Sequence, residues 1–114
     1  MKLRKRVSRK SHVDVGFRGD FGKVEKARFD MEFRILTKEE AKDLLGRAAD
    51  DDLNDVEIIQ DYALGWTDVQ DEGGNDMEFT PENVEIVMND QDVYSAIMTA
   101  FMEDLLGKKA KVKK

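Results

Sequence analysis

The sequence predicts an α+β fold, with an N-terminal antiparallel β-hairpin packed on a mainly α-helical domain of about four helices. Three observations support this prediction. Apolar and charged residues alternate through residues 27–35, four later segments place apolar residues at helical spacing, and a length of 114 residues suits a single domain. We expect that domain over residues 12–107, between a basic flexible arm at 1–11 and a basic flexible tail at 108–114.

The hairpin is predicted from residues 12–35. Its second strand places five apolar side chains on one face: Ala27, Phe29, Met31, Phe33 and Ile35. The first strand, around Val13, Val15 and Phe17, alternates less regularly, and Gly19 and Gly22 suit the turn between the strands. Because one face of this hairpin is apolar, it requires a cover of helices.

Three helices are predicted from their start signals. The first follows Thr37, whose spacing from Glu40 is typical of a capping box. The second follows a run of carboxylate N-caps and is expected to end at Gly65. Its apolar residues at helical spacing are Leu53, Val56, Ile59 and Ala63. The third begins at Thr80 and Pro81, a hydroxyl N-cap followed by proline at the first helical position.

The last helix, predicted over about Asp92 to Leu106, carries more apolar surface than one core contact requires. One apolar row contains Val93, Ile97, Phe101 and Leu105, a second contains Tyr94, Met98 and Met102, and a polar ridge contains Asp92, Ser95, Thr99 and Glu103. Such a helix is either buried between two layers or contributes one stripe to another chain. The candidate partner-binding residues are Tyr94, Met98, Phe101, Met102 and Leu105.

The acidic segment at 65–84 resembles a metal-binding loop only in composition. Counted from Asp68, an EF-hand frame places Gly73 correctly at the sixth position but Phe79 where the bidentate glutamate is needed. We therefore predict no metal site. Gly65, Trp66 and Phe79 are instead interpreted as structural anchors that hold this loop to the core.

Charge is strongly segregated along the chain. Residues 1–47 carry 14 Lys or Arg and 8 Asp or Glu, residues 48–107 carry 17 Asp or Glu and neither Lys nor Arg, and residues 108–114 carry five lysines. An acidic body repels phosphate backbones, so nucleic acid is not an expected partner. The expected partner is a protein.

Most enzyme classes lack their parts in this sequence. There is no cysteine, and His12 is the only histidine, so thiolate nucleophiles, thiolate zinc sites and Ser-His-Asp triads are excluded. We expect no enzymatic activity and no cofactor. The sequence contains neither an apolar run long enough for a membrane span nor an apolar stretch behind the basic N-terminus, so a soluble intracellular protein without a membrane partner is expected.

The order of these parts resembles the small tail assembly chaperones of long-tailed bacteriophages, over about residues 12–110. The similar segments are the strand-to-helix join "FDMEFRILTKEEAKDLL", "GWTDV", the loop "DEGGNDMEFTPENVEIVM" and the final helix "VYSAIMTAFMEDLLGKKAK". The resemblance implies binding to the tape measure protein, which is kept soluble, and recruitment of the tail tube protein. It also implies a location in the host cell cytoplasm, absence from the mature virion, and a possible longer, frameshifted form. A homo-oligomer is a further possibility.

Two other functions fit the same sequence. The acidic block from Asp50 to Asp104 is compatible with a nucleic-acid-mimicking inhibitor of a DNA-binding protein, although the basic ends argue against it. The second alternative is a small structural tail completion subunit, which would remain in the finished particle.

Overall fold

The structure is a computed structural model, and it describes residues 1–50 and 54–107. The three strands are β1 (Ser8–Arg18), β2 (Val24–Arg34) and β3 (Ala63–Thr67). The four helices are α1 (Lys38–Ala49), α2 (Asp55–Tyr62), α3 (Pro81–Met88) and α4 (Gln91–Leu106). The predicted α+β fold with an N-terminal hairpin and four helices is therefore confirmed.

The hairpin pairs β1 with β2 in an antiparallel register that runs from Ser8 opposite Arg34 to Arg18 opposite Val24. A single 3-10 turn, Asp20–Gly22, joins the two strands. Within it Gly22 has φ 74°, a left-handed conformation that glycine adopts without steric cost. The turn predicted between the strands thus lies where the sequence places it.

Strand β1 begins at Ser8. Residues 8–11 therefore belong to this strand, although the sequence predicted a flexible arm over residues 1–11. The strand extends this far because its polar residues have partners on the neighbouring strand. Lys10 lies opposite Glu32, and the Ser8 hydroxyl donates to the Glu32 carboxylate at 2.5 Å. Cross-strand pairs of this kind stabilise the pairing of β1 with β2, although the composition of this segment alone indicates a solvated arm.

One face of the sheet is covered by helices and the other is open. Val13, Val15, Phe29, Met31 and Phe33 are buried on the covered face. Ala27 belongs to the same alternating series but is exposed, although its cross-strand partner Val15 is buried. The apolar face was therefore predicted correctly at its centre, but the prediction extends too far towards the turn.

Strand β3 was not predicted, and its presence corrects the predicted end of the second helix. Helix α2 ends at Tyr62, and Ala63 to Thr67 pair antiparallel with β2, with Trp66 opposite Met31. Gly65 consequently lies within a strand and does not end the helix. The free edge of β2 supplies hydrogen bonds that no local pattern in the sequence can reveal. Leu53, assigned to this helix, lies outside the described residues.

The helices begin with the predicted capping chemistry, except that a different type of residue caps α2. The capping box of α1 is present, with the Thr37 hydroxyl accepting from the Glu40 amide at 3.1 Å and the Glu40 carboxylate accepting from the Thr37 amide at 2.9 Å. Thr80 caps α3. Helix α2 is capped by the side-chain amide oxygen of Asn54 where a carboxylate was expected. Its acids occupy the first turn instead.

The core lies between the covered face of the sheet and the four helices. Its largest fully buried side chains are Phe33, Met31, Leu44, Ile59, Ile97, Val13 and Val84. The residues that are buried in the described part of the chain are all apolar or aromatic. None of the described helices is long and apolar enough to cross a membrane.

Candidate partner-binding site

Helix α4 carries the predicted partner-binding residues and has well-defined ends. The Asp90 carboxylate accepts from the amides of Asp92 at 2.9 Å and Val93 at 3.2 Å, so it satisfies two N–H groups that have no partner within the helix. At the other end Gly107 adopts a left-handed conformation with φ 70°. The observed helix, Gln91–Leu106, matches the predicted one closely.

The first apolar row of α4 belongs to the core. Its residues Val93, Ile97 and Phe101 are buried, together with the neighbouring Ala100. Phe101 is only 4% exposed and meets Phe33 of β2 edge to face, with ring centroids 5.5 Å apart. Because this ring is enclosed by the folded chain, Phe101 is not part of the accessible surface of α4.

The second apolar row, which contains Tyr94, Met98 and Met102, is different because it is only partly covered. Leu105, the last residue of the first row, is also only half-buried, and we call these four residues the α4 stripe. All four are half-buried and pack against the edge of the core. The neighbouring Leu106 is 53% exposed. The sequence left two interpretations of this helix open. In the folded chain, the first row is buried from Val93 to Phe101, whereas the second row stays partly accessible along its length.

Tyr94, at the N-terminal end of the α4 stripe, is held by a polar contact. Its hydroxyl donates a hydrogen bond to the carboxylate of Asp55 in the first turn of α2. This hydrogen bond, followed by partial burial and by the negative charge of Asp55, raises the pKa of the Tyr94 hydroxyl. The ring is thereby positioned at the junction of α2 and α4, and it stays neutral at physiological pH.

Both ends of α4 are also bonded to β1. The Asp104 carboxylate accepts from Arg9 Nε at 3.0 Å, and the Asp92 carboxylate accepts from Arg18 Nε at 2.6 Å. Since Arg9 lies at the start of β1 and Arg18 at its end, the helix runs antiparallel to the strand. The polar ridge predicted from the sequence therefore lies beside β1, a position that helical periodicity could not indicate.

The acidic loop is organised by an aromatic pair and a short turn. Trp66 and Phe79 meet edge to face with ring centroids 5.0 Å apart, and the Trp66 indole N–H donates to the Met77 carbonyl at 2.8 Å. The Asp71 carboxylate accepts from the amides of Gly73 at 2.9 Å and Asn75 at 3.0 Å. These contacts join the end of β3 to the residues before α3, and the role of Trp66 and Phe79 as loop anchors stays a prediction.

The same loop contains the carboxylates that suggested a metal site. Asp71 uses one oxygen to bond the loop's own backbone, as an Asx-type turn does. Within the described ranges 1–50 and 54–107, no group of three or more His, Cys, Asp or Glu side chains is arranged to hold a metal ion.

A family model described as phage tail assembly chaperone matches residues 12–112. No curated protein and no solved structure shows a significant match. The family match spans most of the hairpin, the acidic loop and all four helices. The chain therefore belongs to the phage tail assembly chaperone family.

Proposed function

We propose that this chaperone binds the tape measure protein of its phage, keeps it soluble and helps to recruit tail tube subunits around it. It acts in the host cell cytoplasm and is absent from the mature virion. The family supports a role in tail assembly without catalysis. The observation that carries the proposal is the α4 stripe, a continuous apolar row that the folded chain leaves partly uncovered.

The α4 stripe suits a helical partner. Its residues recur at helical spacing from Tyr94 to Leu105, a distance of about 16 Å along the helix axis. An amphipathic helix binds through residues three and four positions apart, so it can lie along such a row. Two of the four side chains are methionines, whose flexible thioethers adapt to varied apolar surfaces. One short stripe can thus accommodate successive segments of a long partner.

The charge of the body supports the same function. Residues 48–107 contain 17 acidic residues and neither Lys nor Arg. Several copies on one partner would surround its apolar segments with negative charge, which favours solubility. The same surface attracts basic segments of the partner, and this attraction weakens as salt screens it.

The direct test is co-expression with the tape measure gene of the same genome, followed by size exclusion with light scattering at low and moderate salt. We expect a soluble complex with several copies of this protein per tape measure chain. If the tape measure protein precipitates and this protein elutes alone, the proposal is wrong. Mass spectrometry of purified virions separates a chaperone, which should be missing, from a tail completion subunit, which should be present.

The α4 stripe is tested by charge substitution. We expect Met98→Glu combined with Met102→Glu to abolish the complex, because two carboxylates would have to be desolvated at the contact. The helical circular dichroism should stay unchanged, since both side chains are only half-buried. Val24→Glu is the control: Val24 is 54% exposed and lies at the start of β2, outside the α4 stripe. Unfolding of the double variant, or equal loss in the control, would contradict this assignment.

A further inference from the structure

Strand β1 is an edge of the sheet, because the strand order is β1, β2, β3. Two backbone hydrogen bonds show which of its residues face β2. The Ile35 amide donates to the Val7 carbonyl at 2.9 Å, and the Gly19 amide donates to the Lys23 carbonyl at 2.8 Å. The register between these points is continuous, and backbone groups alternate sides along a strand. The even-numbered residues of β1 therefore point their N–H and C=O groups away from β2.

The Arg18 amide agrees with this direction, since it donates to Asp92 Oδ2 on α4 at 3.0 Å. Lys10, His12 and Gly16 present their backbone groups to the same side. In the part of the chain that the structure describes, no strand pairs with them there. Unpaired edge groups of this kind are a template for another extended chain.

A groove of about 740 Å³ runs along this edge, between β1 and the outer side of α4. On the strand it extends from Ser11 to Gly16, and on the helix it is lined chiefly by Ser95, Ala96, Thr99 and Glu103. Ion pairs of α4 with Arg9 and Arg18 lie at its two ends.

The helix side of the groove provides a surface on which a strand can rest. The side chains of Ser95, Ala96 and Thr99 are small, so the helix leaves space at the position where the next strand of the sheet would lie, about 4.8 Å from β1. The part of β1 that lines the groove is long enough to pair with about six residues of extended chain. The polar ridge of α4 thus forms one wall of the groove, whereas the α4 stripe does not line it.

We propose that this groove binds an extended, basic peptide segment of a partner protein as a fourth strand of the sheet. Backbone hydrogen bonds to the edge of β1 would supply the pairing, as in other cases of β-strand addition. Charge selects the segment. Glu103 lines the groove without an ion pair among the described residues, and α4 contributes acids but no Lys or Arg. Arg28 of β2 also lines the groove, but its charge is paired with the Asp14 carboxylate at 2.6 Å. Lys or Arg at alternate positions would point towards this acidic side.

A second copy of the chain fits the groove less well. Each copy carries its own α4 along β1, and pairing of two β1 strands at about 4.8 Å would bring these helices together. Packed helices require about 8–10 Å between their axes. A single extended segment brings no helix with it, so the groove can receive it without rearrangement.

The probe is an acetylated and amidated hexapeptide that alternates Lys and Val, titrated into the full-length protein and followed by NMR. We expect saturable shifts of the backbone amides of Lys10, His12 and Gly16, and weaker binding at higher salt. Two versions of the peptide, N-methylated either at every Lys or at every Val, test the backbone pairing. One of the two should bind at least roughly tenfold more weakly than the parent. A peptide with Glu in place of Lys should not bind.

Thr99→Trp tests the groove, since Thr99 is exposed and a larger side chain there fills the space without touching the core. It should weaken binding by roughly tenfold or more, whereas Glu85→Trp, at an exposed position on α3, should leave it unchanged. The proposal is overturned if the parent peptide causes no shifts at millimolar concentration, or if both methylated peptides bind as tightly as the parent. It is also overturned if the protein alone is a dimer that Thr99→Trp converts to a monomer.

Discussion

At the scale of single residues, Asp104 shows how a charged side chain is accommodated beside the core. Its side chain is only 8% exposed, against 39% for its partner Arg9. The carboxylate accepts from Arg9 Nε at 3.0 Å, from Arg9 Nη2 at 3.3 Å and from the Ser11 hydroxyl at 3.4 Å. A carboxylate removed from water needs such partners, because burial without them is costly.

We expect Asp104→Asn to lower the free energy of unfolding by about 2 kcal/mol, since a hydrogen bond to a charged group contributes roughly 1.5–3 kcal/mol. The half-exposed Arg9 can regain water, which keeps the loss from being larger. Urea denaturation measures the difference. The control is Arg28→Gln, which breaks an ion pair with Asp14 whose side chains are 60% and 69% exposed. Exposed pairs contribute little, so equal losses in the two variants would contradict the argument.

At the scale of elements, α4 is joined to β1 by contacts at both ends. The Asp92 carboxylate accepts from the Arg18 amide at 3.0 Å and from Arg18 Nε at 2.6 Å. These contacts, above all the backbone hydrogen bond, hold the pKa of Asp92 below its ordinary value, although partial desolvation opposes the shift. The contact therefore links the protonation of one side chain to the docking of the last helix on the hairpin.

This link predicts a specific pH dependence. Because the folded-state pKa of Asp92 is lowered, its contribution to stability is fully present above the ordinary aspartate pKa of about 3.9 and is lost as the pH falls through the folded value. We expect the stability difference between the wild type and Asp92→Asn to shrink as the pH is lowered from 6 to below about 3.5. Urea denaturation at a series of pH values measures it. A difference that stays constant over this range would show that the charge of Asp92 does not support the contact.

At the scale of the whole molecule, the helices are not equally embedded. Helix α4 buries Val93, Ile97, Ala100 and Phe101, whereas Leu44 is the one fully buried residue of α1. Segments with few buried apolar contacts open more easily than the core. The body is thus built around the hairpin and α4, with α1 attached more lightly at its side.

Hydrogen exchange tests this unequal embedding. After correction for intrinsic rates, we expect the central amides of α1 to exchange faster than those of β2 and α4, because α1 can open without disrupting the main core. Mass spectrometry of deuterium uptake in the free protein provides the measurement, and the central amides of β2 serve as the internal reference. Equal protection of α1 and α4 would show that the domain opens only as one unit.

Much of the fold follows from local chemistry and could be predicted. The capping box at Thr37, the Thr80-Pro81 start and the two apolar rows of α4 each depend on residues within a few positions of one another. The same holds for the alternation around Phe29, Met31 and Phe33, which places these side chains on one face. Fixed backbone periods relate such spacings directly to geometry.

Other features depend on contacts between distant parts of the chain. The edges of β2 determined that residues 8–11 and Ala63–Thr67 become strands, although their composition indicated an arm and the end of a helix. The candidate site shows the same division: the sequence identified two rows on α4, but only packing against Phe33 determined that Phe101 is enclosed.

The sequence by itself thus determined the fold class, the helix starts, the acidic body and the set of apolar residues on α4. The tertiary structure alone decided which of those residues remain accessible, that β1 has a free edge, and that the polar ridge of α4 lies beside that edge. The physical reason is the range of the interactions: caps and amphipathic periods are satisfied within one or two turns, whereas strand pairing and burial require partners far away in the chain.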